Sequence, residues 1–360
     1  MTEWKQCIIA DLGDVVTGKT PPTKNTEFWD GEVHFVTPKD IQGLKHITDT
    51  ERRITGEGLQ KVKGSALPQK AVCVSCIGNI GYTGMTTQMC VSNQQINSII
   101  VNSDNDPDYV YYLMRSLWPF FKNYEGQSTT LSILNKTQFS KIAVTVPDKA
   151  TQKRIAAALS ALDDKIAANA QINDNLQEQA LAVFQQELLR DRELPEGWTN
   201  GNLLDIANYL NGLAMQKYRP SEGETGLPVL KIKELRQGSC DASSELCSPS
   251  IKPEYIIHDG DVVFSWSGSL LVDLWCGGTC GLNQHLFKVT SEKYPKWFYY
   301  AWTAHHLARF VAIAADKATT MGHIKREELA KAEVAIPDAA SMERIGGILR
   351  PMYDLIIRAY

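Results

Sequence analysis

Long apolar runs are missing from this sequence of 360 residues. No stretch approaches the roughly 18 consecutive apolar residues that a membrane-spanning helix needs, and the opening residues lack the basic stretch and apolar core of a secretion signal. We therefore expect a soluble protein of the cytoplasm. With 43% hydrophobic and 9% aromatic residues, the composition also excludes disordered and fibrous proteins.

An excess of positive charge is missing as well. The chain has 37 Lys and Arg residues against 41 Asp and Glu residues, which gives a net charge of -4. Residues 1–150 hold 15 basic and 15 acidic side chains, and residues 196–338 hold 14 and 17. Because many nucleic-acid-binding domains are strongly basic, the overall charge offers no argument for DNA binding. Such a function must rest on more specific features.

The sequence also has few of the patterns that mark catalytic or nucleotide sites. It contains no phosphate-binding G-x-x-x-x-G-K-S/T loop, no G-x-G-x-x-G loop and no Asp/Asn-Pro-Pro-aromatic motif for methylation of a base. Its seven His residues are scattered and form no nucleophile–base arrangement. We therefore expect no catalytic residues, no cofactor and no catalytic activity in this chain.

Eight cysteines raise the question of zinc or disulfides. The pairs Cys73 with Cys76 and Cys276 with Cys280 have the close spacing found in tetrahedral zinc sites. Each pair lies in a strand-like apolar run, where residues three apart point to opposite faces, and no further pair completes a set of four ligands. We therefore expect thiols, as is usual inside cells, and no metal site.

The most informative feature is an internal repeat with a period close to 190 residues. An offset of 190 aligns Asn93 with Asn283 and Gln94 with Gln284. Over residues 129–166 the same offset gives 12 identities in 38 positions, where unrelated segments would give roughly two. So long a period excludes a solenoid, and we infer two copies of one domain.

Each copy is followed by a predicted helix, which divides the chain into four parts. These are a first globular copy at residues 1–150, a long helix and linker at 151–195, a second copy at 196–338 and a shorter helix at 339–360. Strands are predicted at residues 33–37, 71–77, 98–101, 142–146, 227–232, 261–265, 285–289 and 332–336, and helices near 108–124 and 296–314. The predicted fold class is α+β, with two similar globular domains separated by long antiparallel coiled-coil helices about a pseudo-twofold axis.

The two helices carry the pattern of a coiled-coil seam. Residues 151–190 contain no Gly or Pro, and apolar or Asn residues recur there in alternating steps of four and three. Only a short linker separates this helix from the second copy, so the second helix must run back antiparallel to the first. The expected seam residues are Ile155, Leu159, Leu162, Ile166, Asn169, Asn173, Leu176, Ala180, Val183, Ile345, Leu349, Met352 and Ile356.

Two features of this seam leave alternatives open. Asn169 and Asn173 are expected inside it, where polar residues fix the register of the helices; the alternative is that they face solvent where the helices diverge. The second helix is half as long as the first, so residues 155–166 need another cover. That cover is a partner chain, self-association, or residues beyond this sequence.

The order of motifs resembles that of the specificity subunits of type I restriction-modification systems. The motifs are WKQCIIADLGDVVTGKTPPT, FVTPKDI, a Ser-x-x-Gly loop, NQQI, a T-T-x-x-L/I segment and a strand that ends in Pro before a long helix, all duplicated across an LPEGW linker. The resemblance extends over essentially the whole chain. It implies that each copy is a target recognition domain for one half of a bipartite, asymmetric DNA sequence.

The resemblance also implies the partners of the chain. The paired helices would space the two domains and dock two methyltransferase (M) subunits, and restriction (R) subunits would join through M. Adenine methylation and ATP-driven cleavage would then belong to those partners, and double-stranded DNA would be the ligand of this chain.

Loop side chains of the types that read base edges are the candidate DNA contacts. The candidates in the first copy are Lys19, Thr20, Lys24, Lys39, Asn79, Tyr82, Thr83, Ser128 and Thr129. The candidates in the second copy are Lys217, Arg219, Lys231, Lys233, Ser267, Ser269, Lys317, Thr319 and His323. The Asn-Gln pairs that the copies share are expected to brace the structure or position phosphates, because residues common to two readers cannot set the difference between them.

Two other functions fit parts of the pattern. A two-headed protein-interaction scaffold without nucleic acid is favoured by the near-neutral copies and opposed by their Lys-, Thr-, Ser- and Asn-rich loops. A glycan hydrolase would need paired carboxylates, but no Asp or Glu recurs in a cleft-like context in both copies. The aromatic residues at 109–121 and 297–310 have the helical spacing of core packing rather than of a base-stacking surface.

Overall fold

The computed structural model describes residues 4–41, 43, 45–126, 132–189, 193–316 and 324–359. It divides the chain into two compact units, unit 1 at Met1–Lys165 and unit 2 at Ile166–Tyr360. Both units have small sheets with helices packed on them, so the predicted α+β class is confirmed.

Unit 1 contains eleven described strands and begins the longest helix of the chain. Its strands are β1 (Lys5–Ile8), β2 (Gly13–Thr17), β3 (Trp29–Val36), β4 (His46–Ile47), β5 (Arg52–Ile54), β6 (Ala66–Leu67), β7 (Val72–Ser75), β8 (Thr83–Thr86), β9 (Cys90–Ser92), β10 (Ile96–Val101) and β11 (Ala143–Val146). Its helices are α1 (Gly56–Lys61), α2 (Pro107–Ser116), α3 (Trp118–Gly126), α4 (Lys136–Ser140) and α5 (Lys149–Leu188), the last of which continues into unit 2.

Unit 2 contains ten described strands. They are β12 (Thr199–Asn202), β13 (Asn208–Asn211), β14 (Leu227–Leu230), β15 (Leu246–Cys247), β16 (Ile256–Ile257), β17 (Val262–Ser265), β18 (Leu271–Leu274), β19 (Cys280–Leu282), β20 (Leu286–Thr290) and β21 (Glu333–Ile336). Its helices, besides the end of α5, are α6 (Leu203–Ile206), α7 (Ile232–Gln237), α8 (Lys296–His305), α9 (Leu307–Asp316), α10 (Arg326–Ala330) and α11 (Ala339–Ala359).

The sheets of unit 1 recur in unit 2 in the same order. The main sheet is β2-β10-β7-β8-β4 in unit 1 and β13-β20-β17-β18 in unit 2. A second sheet is β5-β3-β9-β6 in unit 1 and β15-β14-β19-β16 in unit 2, and each has a parallel pair at its centre. A two-stranded sheet, β1-β11 or β12-β21, joins the start of each copy to the strand before its long helix. The repeat seen in the sequence is therefore a repeat of fold.

The central strand of each main sheet is buried on both faces because its sequence is apolar without alternation. All residues of β7 and of β17 are buried. In β7, Val72 and Val74 pack in a cluster with Met114 of α2, whereas Cys73 packs with Val36 of the second sheet. Each main sheet is thus covered by helices on one face and by the second sheet on the other.

All eight predicted strands are present, but each predicted aromatic helix is divided in two. In unit 1 the helix breaks at Leu117, between α2 and α3. Pro119 accounts for this break, because proline has no N–H to donate and its ring clashes with the carbonyl of Arg115, four residues back. In unit 2 the break is at His306, whose ring Nε2 lies 2.8 Å from the carbonyl oxygen of Glu333.

Helix α5 has 40 residues and α11 has 21, close to the lengths predicted for the two long helices. Within unit 2, Ile345 and Leu349 of α11 share a hydrophobic cluster with Phe184 near the end of α5. Arg344 at the start of α11 donates two hydrogen bonds to Glu187 of α5, at 3.2 and 2.7 Å. The start of α11 is therefore next to the end of α5.

The expected seam residues differ in burial along the helices. Those that are buried are Asn173, Ala180, Ile345, Leu349 and Ile356. Those that are partly buried are Ile155, Leu159, Asn169, Leu176, Val183 and Met352. Leu162 and Ile166 are 58% and 67% exposed. The buried part of the seam lies in unit 2, and the exposed part lies where α5 leaves unit 1.

Candidate nucleic-acid interface

Three loops of unit 1 meet at one edge of its main sheet. Strand β2 ends at Thr17 and β7 ends at Ser75, whereas β10 begins between them at Ile96. Because β10 is antiparallel to both neighbours, the loops that follow β2 and β7 share an edge with the loop that precedes β10. The hydroxyl of Thr20 donates to Oε1 of Gln94 at 2.5 Å across this edge. We name these three loops the reading edge of unit 1.

The second sheet brings a fourth segment to the same edge. The N–H of Asn93 donates to the carbonyl of Val36, the last residue of β3, at 2.9 Å. The segment after β3, which carries Lys39, therefore begins beside the reading edge. In unit 2 the corresponding bond joins Asn283 N–H to the carbonyl of Leu230 at 3.2 Å, so the segment that starts at Lys231 has the same place.

The reading edge of unit 2 has the same framework with other side chains. Its three loops follow β13, follow β17 and precede β20. The indole Nε1 of Trp266 donates to Oδ1 of Asn211 at 3.0 Å. The hydroxyl of Ser267 lies 3.0 Å from Nδ1 of His285. Trp266, Asn211 and His285 are not among the contacts predicted from the sequence, where only their positions at strand ends mark them.

A glycine and an asparagine that occur in both copies fix this framework. A side chain at Gly18 would place its Cβ 2.1 Å from the carbonyl oxygen of Asn93, and one at Gly212 would place it 2.2 Å from that of Asn283. Only glycine allows so close an approach. The side chains of Asn93 and Asn283 accept the N–H two residues ahead, at 3.0 and 3.2 Å. These contacts give the shared asparagines a bracing role.

The repeated Ser-x-x-Gly loop is closed by a buried hydroxyl. Ser75 donates to the carbonyl of Asn79 at 2.5 Å, and Ser265 donates to the carbonyl of Ser269 at 2.8 Å. The glycines have φ angles of +77° and +65°, in the left-handed region that favours glycine. The loops are therefore held in one shape while the intervening side chains differ.

Several sequence-predicted residues of unit 1 lie exposed on these loops. Lys19, Lys24, Lys39 and Asn79 are exposed, and Thr20 and Tyr82 are half-buried. Lys39 is 3.4 Å from Glu51 in an exposed ion pair. Among the residues that the structure describes, Lys19 and Lys24 form no ion pair.

In unit 2 the sequence-predicted cations are paired with local carboxylates. Lys231 and Arg219 both bind Glu245, and Lys233 donates to Ser243 at 2.9 Å and lies 3.6 Å from Asp241. The hydrogen bond from Lys231 lowers the pKa of Glu245 below its usual value, so the carboxylate stays charged. Lys217 is exposed, and Ser269 is half-buried. Local acids thus neutralise much of the basic character predicted here.

Two predicted contacts are corrected by the structure. Thr83 lies in β8, is 7% exposed, and donates its hydroxyl to the carbonyl of Gly81 at 3.1 Å. Ser267 is 5% exposed and is engaged with His285. Both were assigned to open loops, but the loops fold back and enclose them. The predicted contacts Ser128, Thr129, Lys317, Thr319 and His323 lie outside the described residues.

Most aromatic residues of helices α2, α3, α8 and α9 pack in the core, although Trp118 and Phe120 of α3 are 38% and 44% exposed. Tyr109, Tyr111 and Phe121 are buried in unit 1, and Trp302 and Phe310 are buried in unit 2. Each set belongs to the main hydrophobic cluster of its unit. Core packing, as predicted from the helical spacing, is therefore the role of the buried members of each set.

The described residues show no metal-binding cluster and no helix long and apolar enough to cross a membrane. All eight cysteines are among them, and all are free thiols. Cys73 and Cys76 pack in different hydrophobic clusters, as expected for residues three apart in a strand. Burial raises the pKa of Cys73 to about 11 and that of Cys76 to about 12, so both remain protonated.

Part of this chain matches a known protein family, and the chain has relatives of known name. Residues 1–178 match the family model described as type I restriction modification DNA specificity domain. The type I restriction enzyme MjaIX specificity subunit of Methanocaldococcus jannaschii is 23% identical over an alignment of 381 positions, which covers 99% of this chain and 88% of that protein. The HindI specificity subunit of Haemophilus influenzae is 32% identical over 148 residues, 41% of this chain and 32% of that protein.

A solved structure supports the fold over the full length. The crystal structure of the type I restriction-modification system S subunit from M. genitalium has a TM-score of 0.58 and 12% sequence identity. The superposition covers 99% of this chain and 91% of that one. Residues 1–178 therefore carry a type I restriction modification DNA specificity domain, and the whole chain is similar in sequence and in fold to type I restriction-modification specificity subunits.

Proposed function

We propose that this chain reads a bipartite, asymmetric DNA target, one half with each unit, and docks M subunits and, through them, R subunits. The observation that carries the proposal is the pair of reading edges. Each unit presents loops of one framework, and the side chains on those loops differ between the units.

The division between framework and reading side chains follows the repeat. Glycine, serine and asparagine recur where the loops are closed, as at Gly18, Ser75 and Asn93. Between them, Lys19 and Thr20 of unit 1 stand where unit 2 has Leu213 and Ala214. Because Lys and Thr donate to base edges and Leu and Ala cannot, the two half-sites should differ.

The proposed DNA contacts are the exposed and half-buried candidates on the reading edges. In unit 1 they are Lys19, Thr20, Lys24, Lys39, Asn79 and Tyr82. In unit 2 they are Lys217, Arg219, Lys231, Lys233 and Ser269. Ser128, Thr129, Lys317, Thr319 and His323 remain proposed contacts on the sequence alone.

The charge balance supports a division of labour with the partners. Near-neutral units give few phosphate contacts, and phosphate contacts supply most of the affinity for DNA. We propose that M subunits supply those contacts and bind the long helices, where Leu162, Ile166 and Ile172 are more than half exposed. Exposed apolar side chains of this kind are typical of a protein-binding surface.

Methylome sequencing tests the proposal. A host that carries this chain with the M subunit encoded beside it should methylate adenines within one split, asymmetric sequence. Replacement of Asn79 by Ala should relax the base preference at one position in one half, by about 1–3 kcal/mol of discrimination, and leave the other half unchanged. Co-purification of the M subunit without sequence-specific methylation would instead favour a protein-interaction scaffold.

A further inference from the structure

A largely buried lysine fills a polar socket in unit 1. Lys45 precedes the short strand β4, and its side chain is 11% exposed. Its ammonium group lies 2.9 Å from Oδ1 of Asp108 in α2 and donates to Oγ of Ser160 in α5 at 2.7 Å. It also lies 4.8 Å from the ring centre of Tyr112, whose hydroxyl donates to Asp163 at 2.6 Å. The chain thus supplies its own cation to a socket between two helices.

Strand β4 is what brings this lysine to the socket. It is the fifth strand of the main sheet and pairs with β8. The N–H of Met85 in β8 donates to the carbonyl of Lys45 at 2.7 Å. Within the described part of unit 2, the main sheet has four strands and ends at β18, the counterpart of β8.

Unit 2 has a cavity of about 190 Å³ at the corresponding place. Leu274 of β18, which lines the cavity, pairs with Val262 of β17, just as Met85 of β8 pairs with Val72 of β7. Tyr300, which also lines it, stands where unit 1 has Tyr112. The strand register and the repeat therefore place the cavity where Lys45 is inserted in unit 1.

The charges around this cavity are reversed relative to the socket in unit 1. Lys296 replaces Asp108, and Arg350 replaces Ser160 in the alignment of the copies. Both line the cavity, together with a single carboxylate, Asp354. The surroundings thus carry two positive charges and one negative charge.

These cations are weakly engaged within the chain. In the part of the chain that the structure describes, Lys296 forms no ion pair. Arg350 lies 3.7 Å from Glu343, and both side chains are more than half exposed. Burial raises the pKa of Tyr353, which replaces Asp163, to about 12, so its phenol stays neutral and adds no negative charge.

We infer that this cavity receives an acidic side chain, Asp or Glu, from a partner polypeptide. The acid would pair with Lys296 and Arg350 and would do between chains what Lys45 does within unit 1. The inference rests on the proposed function, in which the partner is the M subunit. Charge complementarity favours an acidic side chain, because a lysine inserted here, as Lys45 is in unit 1, would face the positive charges of Lys296 and Arg350.

Binding of the M subunit to charge-reversed variants tests the inference. The probe is the M subunit encoded with this chain, and the measurement is its Kd for the full-length chain at low and high salt. We expect K296E/R350E to weaken binding at least tenfold at low salt, because a partner carboxylate would then face two like charges. High salt should reduce the difference.

A matched control carries the same charge change outside the cavity. K293E/R358E reverses one cation just before α8 and one near the end of α11, and neither residue lines the cavity. It should bind the M subunit nearly as wild type does. Thermal unfolding checks that the variants fold. If K296E/R350E does not fold, K296Q/R350Q is tested in its place.

The outcomes separate this inference from the proposed function. If the wild-type chain binds no M subunit, the proposed function itself fails. If the wild type binds and the cavity variant binds equally well, or if the control loses as much affinity, the inference is overturned and the proposed function stands. A selective loss in the cavity variant supports both.

Discussion

The junction between globular fold and long helix is polar in unit 1 and apolar in unit 2. In unit 1 the buried amide of Gln152 donates to Asn105 at 2.9 Å and to the carbonyl of Pro147 at 3.0 Å, and it accepts the N–H of Asp106 at 2.9 Å. The residue aligned with Gln152 in unit 2 is Met342, which packs against the hydrophobic cluster.

This difference teaches how the same fold can hold a helix in two ways. Hydrogen bonds and ion pairs have strict geometry, so Gln152 and Lys45 fix the direction in which α5 leaves unit 1. Apolar burial is not directional but is strong, and it holds α5 and α11 in unit 2 through Phe184, Ile345 and Leu349. The polar junction specifies geometry, and the apolar junction supplies stability.

The largest expected effect comes from the apolar junction. Phe184→Ala removes a side chain that is 1% exposed and should destabilise unit 2 by about 3–5 kcal/mol, because it leaves a cavity in the core. Chemical unfolding of the full chain measures the loss. Leu181→Ala on the same helix, where Leu181 is 50% exposed, should cost less than about 0.5 kcal/mol. Equal losses would contradict an apolar junction at Phe184.

A smaller effect is expected at the charged socket of unit 1. Lys45→Met should destabilise unit 1 by about 2–3 kcal/mol at neutral pH, because Ser160 loses its lysine partner and Asp108 keeps only the more exposed Lys70, at 3.2 Å. Burial alone would raise the pKa of Asp108, but the hydrogen bonds and charges of Lys45 and Lys70 together outweigh it and lower that pKa. Burial alone would lower the pKa of Lys45, but hydrogen bonds to Asp108 and Tyr112 outweigh it and raise that pKa.

The pH dependence of this loss follows from the signs of the two shifts. A carboxyl with a lowered pKa contributes stability above its unfolded pKa, about 3.9, and loses the contribution as the pH falls through its folded pKa. The lysine contribution is complete below about pH 10.4 and does not change in acid. The difference between wild type and Lys45→Met should therefore shrink below about pH 4. A constant difference down to pH 2 would exclude the ion pair as its cause.

The side-chain amide of Gln152 should contribute somewhat less to the stability of unit 1. Gln152→Met, which installs the residue of unit 2, should cost about 1–2 kcal/mol because buried groups of Asn105, Asp106 and Pro147 lose their partner. Gln177→Met at an exposed position of α5 is the matched control and should be nearly neutral. If Gln152→Met stabilised unit 1, the hydrogen bonds of Gln152 would not stabilise the junction, and apolar packing would hold the helix equally well in both units.

The smallest effect compares the basic residues of the two reading edges. In the complex with M, K19A/K24A should reduce the salt slope of DNA binding by about two, since each lysine is free to contact a phosphate. K231A/K233A should reduce it less, because Glu245 and Asp241 already hold those lysines. Affinity measured from low to moderate salt gives both slopes. A larger change in the salt slope for K231A/K233A than for K19A/K24A would contradict the proposal that the lysines of unit 1 are the freer to contact phosphates.

Much of the fold follows from the repeat and from apolar patterning. Strands such as β7 and β17 are continuous apolar runs, and α5 has a periodic seam without Gly or Pro, so both were predicted. The two-residue strand β4 has no periodicity that a sequence can reveal, and the socket of Lys45 depends on it. Short edge strands are decided by tertiary contacts rather than by local pattern.

The sequence predicts which types of residue lie on the reading edges, but it predicts only in part which of them are exposed. Lys19 and Asn79 are exposed, as loop residues of their type usually are. Thr83 and Ser267 also looked like loop residues, but each lies within or beside a Ser-x-x-Gly turn that folds back over it. The hydrogen bonds that close such a turn join residues several positions apart, and the local sequence pattern does not predict them.

Replacement of residues 1–150 by the corresponding domain of another specificity subunit tests the central claim most directly. The measurement is the methylome of a host that carries the chimera with its M subunit. We predict that one half of the split target changes and that the other half and the adenine modification persist. A target unchanged in both halves, or changed in both, would contradict two independent readers on one duplicated fold.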